Sequence, residues 1–429
     1  MSRSWTTAPR RRVTVLAAAA TLVLGTFSAV VLAAPAQAAP LVSVATSNAA
    51  PYSDSNGYNW VNYFRGLGGL GTVTRNATFE SQEATHIRYL ANHSLSCETN
   101  VHDELTSREG SCGANRFATA AGKAAANNSN VTRVSADVSD RTAVSNWFGA
   151  AFHALVLLDP RLTSTGYSAY YTPAPQGAGP MAWRFTAAVD VYRGRAGSYN
   201  GRILAFPATG AVTPLLSYAV GTESPEPFRT SVGSCNSWGE KSVVSAPVVV
   251  QYPLSQGTPG TGSIRDLTAG KNLNTCTLNQ NSYASGSLGR EFLSGVNGIT
   301  RGAFYYASTP FVSGHRYQLT ANGRVITTFA AGSQPSSSAT SVKPAAAAAR
   351  ISWSTATPGT GSVRGYAVKV YSRSDCTNAS YVRGANVTAG TRTAVVRSLA
   401  RGRVYYLKVA AVNSVGAARW SVCRAVRTS

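Results

Sequence analysis

The sequence predicts an α+β region followed by two all-β sandwiches, and three observations carry that expectation. Apolar residues recur at helical spacing only in the first half of the chain. Beyond residue 220 the helical pattern gives way to short alternating runs separated by Gly and Pro turns. A Ser-rich stretch at 332–344 then sets off a last alternating segment of its own.

The chain opens with Arg3, Arg10, Arg11 and Arg12, an apolar run from Val13 to Leu32, and Ala36-Gln37-Ala38. Basic start, apolar middle and small-x-small end are the order of an export signal, so residues 1–38 are expected to be removed. No later run is apolar enough to span a bilayer, so the mature chain is expected to have no transmembrane segment. The twin-arginine route is compatible with Arg10-Arg11-Arg12.

In residues 39–220, Phe79, Glu83, Ile87 and Leu90 predict a helix over Arg75–His93, with Asn76 or Thr78 as its N-cap. Ser139-Asp140 starts a second helix that runs through Val144, Trp147, Phe148, Ala151, Phe152 and Leu155. It is apolar nearly all round and should be buried. Strand patterns follow at Ser168–Thr172, Trp183–Tyr192 and Arg202–Phe206, which gives the α+β reading. Residues 221–331 read as a β-sandwich, with strands at Val243–Gln251, Thr300–Tyr306, Arg316–Ala321 and Val325–Phe329. Residues 332–344 read as a flexible linker. Residues 345–429 form a second sandwich from Arg350–Trp353, Tyr366–Tyr371, Thr393–Val396 and Tyr405–Asn413.

Six cysteines in an exported chain read as disulfides rather than thiols. Cys97–Cys112, Cys235–Cys276 and Cys376–Cys423 keep each pair inside one segment, although other pairings remain open. Charge is distributed as unevenly as the elements. The whole chain carries +22, and residues 332–429 alone hold +13, with Asp375 as their single acid. Nucleic acid is not the expected partner, because the arginines are scattered (Arg383, Arg392, Arg397, Arg401, Arg403) with no aromatic platform separable from the core. Anionic envelope polymers or polysaccharide fit an exported basic module better.

An ordered series of short motifs in residues 57–195 resembles the bacterial branch of the CAP superfamily, also called SCP-like or PR-1-like domains. The series is Asn62-Tyr63-Phe64-Arg65, Gly69-Leu70, Tyr89-Leu90-Ala91, His102 before Gly113-Ala114-Asn115, Trp147 six residues before His153, Gly166-Tyr167, and the strand Trp183–Thr186. The resemblance implies an α-β-α sandwich and a cleft of two histidines and two acids able to hold a divalent metal such as zinc. Here the histidines fall on His102 and His153, the metal-site candidates, and the acids fall on Ala114 and Ala150. Both carboxylates are missing, and Asp103, Glu104 or Glu109 would have to provide a third ligand. His86, His93 and His315 read as structural or surface groups.

Residues 345–429 resemble a fibronectin type III module. Trp353, Tyr366, Leu399 before Tyr405, Asn413-Ser414-Val415-Gly416 and Trp420-Ser421 carry that likeness, and it implies that the aromatic residues pack the core. No nucleophile elbow, P-loop or dinucleotide fingerprint is present, so no catalytic residue is assigned. The expectation is a secreted binding or signalling protein with a degenerate cleft and a basic module for anionic polymers. A glycosidase-type hydrolase is the competing class. Glu80, Glu83, Glu104, Glu109, Asp159 and Asp190 are its available acids, with no pair marked out.

Overall fold

The computed structural model describes residues 56–92, 100–104, 117–136, 138–171, 184–295, 298–336, 338–377, 380–418 and 420–429. The export signal, the Cys97–Cys112 pair, Gly113-Ala114-Asn115 and Glu109 lie outside the described residues. The rest forms a mixed helix-and-sheet fold ending in a β-sandwich.

Helix starts follow local chemistry. Helix α1 (Gly57–Leu67) is capped by the Asn56 side chain, and α2 (Ala77–Ala91) by Asn76, whose oxygen accepts from the Thr78 and Phe79 amides. A short helix α3 (Ala120–Ala126) is capped by Thr119. The long helix expected from Ser139 begins there, capped by the Ser139 hydroxyl, but stops as α4 (Asp140–Gly149). Ala150 turns extended (φ −104°, ψ 120°), and the chain restarts as α5 (Ala151–Leu157). Phe64 of α1 stacks on Phe148 of α4 at 5.0 Å, both fully buried. Burying side chains of that size contributes about 1.5–3 kcal/mol each.

Arg65 closes the turns behind these helices. Its buried guanidinium donates to the carbonyls of Gly71 (3.3 Å), Asp159 (3.2 Å), Leu162 (3.1 Å) and Leu157. A three-stranded antiparallel sheet places Phe185–Asp190 between Ser129–Val134 and Tyr167–Tyr171, with α2 packed on it. Gly166 permits that approach. A Cβ there would lie 2.2 Å from the Glu80 amide nitrogen, which belongs to the backbone and has no room to yield.

The expected boundary at 220–221 does not divide the sheets. Leu204–Phe206 is the edge of a four-stranded sheet whose other strands are Val248–Pro253, Thr300–Ala307 and Thr275–Asn279. Val212–Thr213 pairs in parallel with Arg324–Ala331, at the edge of a five-stranded sheet. The four-stranded sheet is buried on both faces. Val249, Phe304 and Tyr306 point into the core built by α1, α4 and α5, while Val248, Val250 and Tyr305 pack against the second sheet. The middle region also keeps one helix, α6 (Leu288–Ser294), contrary to the all-strand expectation. Ser287 caps it, Leu293 anchors it, and Gly295 ends it at φ 114°.

The last sandwich has a three-stranded sheet (Thr340–Ala345, Ala348–Trp353, Thr393–Arg397). It packs on a four-stranded one, ordered Tyr381–Thr388, Gly365–Tyr371, Val404–Val412, Arg424–Arg427. Trp353 and Tyr366 meet at 5.2 Å in its core, and the Tyr405 hydroxyl accepts from the Ala400 amide at 3.1 Å. Cys376–Cys423 and Cys235–Cys276 are both bonded, as the pairing by segment expected.

The stretch expected as a flexible linker is tied down. Its later half is the first strand of the sandwich, and Ser333 and Ser336 bond to Thr360 and Thr357. Side chain–backbone bonds from Asn413 to Ser333, Pro358 and Thr360 close this corner, a constraint that composition alone does not reveal. The adjoining turn reaches the helical region. The Tyr63 hydroxyl donates to the Val415 carbonyl (3.4 Å), and Arg141 donates to that of Ala417 (3.1 Å).

Candidate functional site

His102 and His153 line one cavity of about 240 Å³, together with Asn130, Phe152, Tyr192 and Phe292. The loop 100–104 places His102 against the end of α3, where its Nδ1 meets the Ala126 carbonyl at 3.2 Å. A carbonyl only accepts, so Nδ1 carries the proton and Nε2 is the basic nitrogen of the neutral ring. Burial, and to a lesser extent the neighbouring His153 and His86, holds His102 below the usual histidine range, against the Ala126 bond that raises it. It is therefore neutral at pH 7.

His153 is the third residue of α5. The expectation that the histidines lack acidic companions fails here. Glu223 accepts from the His153 ring Nδ1 at 2.8 Å and from its backbone amide at 3.0 Å. The carboxylate is fully buried, and the imidazole is 16% exposed. Two tasks are served at once. Ala150, at the N-cap of α5, has no side chain able to accept, and Glu223 satisfies the amide that a cap residue would normally hold. The same oxygen fixes Nδ1 as the protonated nitrogen and leaves Nε2 as the acceptor. The acid missing at Ala150 thus has a counterpart in a carboxylate seventy residues beyond His153.

Glu223 escaped sequence reasoning because nothing local marks it. It lies in an irregular segment before Pro225, and the only hint is the scarcity of acids, 17 in the whole chain. Its surroundings are aromatic. The Glu223 charge helps to raise the hydroxyls of Tyr218, Tyr283 and Tyr306, although burial is the larger cause for each.

The other candidates are engaged elsewhere. Glu104 is buried with His86, Oε1 to Nδ1 at 3.0 Å, and its second oxygen accepts from the Thr119 amide at 2.7 Å. The remaining ring nitrogen of His86 faces the Val101 carbonyl at 3.0 Å, so this pair fastens α2 to the loop and to α3. Asp103 pairs with Lys123 at the surface. Glu80 pairs with Arg75, Asp159 with Arg161 and Arg195, and Asp190 with Arg193. His315 pairs with Asp266.

Glu83 also meets a guanidinium, that of Arg193 at 3.4 Å, but its carboxyl is shifted upward. Burial pushes its carboxyl up to about 8, against the Ser129 hydrogen bond, with Asp190 raising it and Arg193 lowering it by less. Ser129, which lines the cavity, donates to it at 2.5 Å.

The donor set can be tested against the expected zinc. Among the described residues no group of three or more His, Cys, Asp or Glu side chains is placed to hold an ion. Two imidazoles fall short of the three protein ligands of an ordinary catalytic zinc site. The described residues therefore do not fit that metal.

Residues 333–426 match the family model of the fibronectin type III domain. Similar solved structures include the FN1-FN3 domains of chicken CNTN1, at 13% identity over 42% of this chain and 60% of that chain, with a TM-score of 0.26. The FN5 domain of Drosophila Lar is 20% identical over 22% of this chain and 96% of that one (TM-score 0.18). The third fibronectin III domain of human KIAA0343 protein is 18% identical over 22% and 83% (TM-score 0.18). The chain thus spans about three fifths of the length of the CNTN1 fragment. No curated protein matches it. Fibronectin type III domains with disulfides are typical of extracellular binding or accessory modules. Among the described residues no helix is long and apolar enough to cross a membrane.

Proposed function

We propose that the chain is an exported binding protein that engages anionic polymers of a cell envelope through its basic fibronectin type III module. A CAP-like cleft built on residues 39–220 and closed by Pro225 and Phe292 recognises a second, small ligand in this reading. The charge of the module carries the first part: +13 in residues 332–429, against one acid. The meeting of His102 and His153 at one cavity supports the second, in the order the resemblance implies.

The test uses the chain from residue 39 onward and purified envelopes. Binding is expected at low salt and should fall steeply as salt rises through about 0.15 M, where the Debye length is about 8 Å. Alanine at His102 or His153 should leave it unchanged. Salt-independent binding would refute the electrostatic reading.

One observation favours a second reading, a hydrolase acting on wall or other polysaccharide. An imidazole held by a buried carboxylate through Nδ1, with Nε2 as acceptor, is the arrangement of a positioned general base. Peptidoglycan or glycan turnover that is lost in His153→Ala while envelope binding persists would put this reading first.

A further inference from the structure

The two sheets of the last sandwich turn their outer faces to different surroundings. On the four-stranded sheet every residue of Gly365–Tyr371 is buried, and the turn at Val415–Ala417 is bonded to α1 and α4. The three-stranded sheet shows the opposite pattern. Ala349, Ile351, Trp353, Ala394 and Val396 face the sandwich core. Alternation therefore turns Ser341, Lys343, Arg350, Ser352, Thr393 and Arg397 outward, and all but the half-buried Ser352 are exposed.

Register sorts this face into rows. Lys343 stands directly across from Arg350, which stands across from Val395. One row on, Ala345 and Ala348 make a low floor that ends at Arg397. Arg383, from the edge strand Tyr381–Thr388 of the other sheet, donates to the Arg397 carbonyl at 2.7 Å and so stands beside it. One row back, Ser341, Ser352 and Thr393 lie in line, with Ser352 donating to Thr393 at 3.2 Å. Cross-strand neighbours are about 5 Å apart, and successive rows about 7 Å. Four cations thus share one patch. Asp375, the single acid of residues 332–429, is elsewhere, lining a hollow against α4 and paired with Arg373. Like charges directly across a ladder are destabilising, so the Lys343–Arg350 pair does not serve the fold. Protection of an exposed sheet edge would account for Lys343 beside Pro344, but not for Arg350 on the central strand.

We infer that this face binds a phosphodiester-linked polyol, with one phosphate received by Lys343 and Arg350 and the next by Arg397 and Arg383. The inference rests on the polymer reading above and names the face and the polymer class. A guanidinium can meet a phosphate through two parallel hydrogen bonds, and a shared anion relieves the repulsion between Lys343 and Arg350. The Ser341-Ser352-Thr393 row offers hydroxyls to the linker between phosphates. A chain of acidic sugars fits less well. None of the outward residues is aromatic, and Trp353 packs inward on Tyr366, so a sugar ring finds no flat apolar surface to lie on.

Calorimetric titration of the chain from residue 39 onward, at about 50 mM salt, uses glycerol-phosphate oligomers, with oligogalacturonate as the carboxylate comparison. One variant combines Lys343→Gln and Arg350→Gln. Its control combines Arg403→Gln and Arg424→Gln, which removes the same charge from exposed positions on or beside the four-stranded sheet. Melting curves report folding, and Arg397→Gln alone decides the case if the paired substitution does not fold. The face variant is expected to bind the phosphate oligomer about tenfold more weakly, about threefold for each exposed charge. The control should stay within about twofold of the parent. Equal losses in the two variants, or no loss in the face variant, would refute the face while polymer contact by diffuse charge survives. Oligogalacturonate bound as tightly as the phosphate oligomer, or more tightly, would overturn the polymer class. If the parent binds neither oligomer, the polymer reading falls together with the inference.

Discussion

Replacing Glu223 by Gln tests the carboxylate that holds the His153 ring and its backbone amide. Gln keeps an acceptor oxygen but loses the charge, and its amide group enters a place where the second Glu223 oxygen has no hydrogen-bond partner among the described residues. Two bonds are weakened, at 2.8 Å and 3.0 Å from His153. A charge-assisted hydrogen bond contributes about 1.5–3 kcal/mol and a neutral one about 1, so about 2 kcal/mol is lost over the two after the easier burial of an amide is counted. For a cooperative region of this size that corresponds to a fall in Tm of about 4 °C. A double-mutant cycle with His153→Ala isolates the side-chain bond, because the backbone amide of His153 persists. The coupling expected is about 1 kcal/mol, the side-chain bond's share of that loss. Calorimetry of the four proteins measures it. Additivity within about 0.5 kcal/mol would mean that the carboxylate caps α5 without holding the ring, and the positioned-base reading would lose its support.

Three further outcomes follow from the same structure. Arg65→Lys should destabilise the helical region by about 3 kcal/mol or more in a denaturant titration. One ammonium cannot serve four carbonyls, and a buried unpaired group carries its full desolvation cost. The depressed folded pKa of His102 means that the unfolded chain binds its proton first. The stability contributed by His102 is therefore present above the unfolded value of about 6.5 and lost as pH falls toward the folded pKa. His102→Gln should flatten Tm against pH in that window, and an unchanged slope would show the ring to be solvated. Zinc added to the metal-free chain should bind at well below one equivalent at micromolar free metal. Full occupancy abolished by His102→Ala would show that a third donor exists.

What sequence reveals here is what short range decides. Asn76 and Ser139 start helices because their side chains reach amides two or three residues away, and the pattern that announces them is equally local. The C-terminal sandwich was legible because strict alternation around Trp353, Tyr366 and Tyr405 admits one inward face. The break at Ala150 was not, since alanine favours the helix. The cap that sustains the restart comes from Glu223, in a segment without periodicity. The two histidines were identified from motif order alone, and they share a cavity, whereas their chemistry depends on that distant carboxylate. Helix α6 is near the length limit for any periodic signal, although Ser287 and Gly295 bracket it.

The contacts of Tyr63 and Arg141 with the Val415 and Ala417 carbonyls have a consequence for avidity. Modules strung on a loose tether trade reach against effective concentration through tether length. In this chain the helical region and the cationic sandwich are braced together, so under the proposed function a surface carrying both targets would be read as one fixed footprint. Lengthening residues 333–339 would not tune that footprint, whereas cutting the brace would turn a single template into two independent, weaker grips.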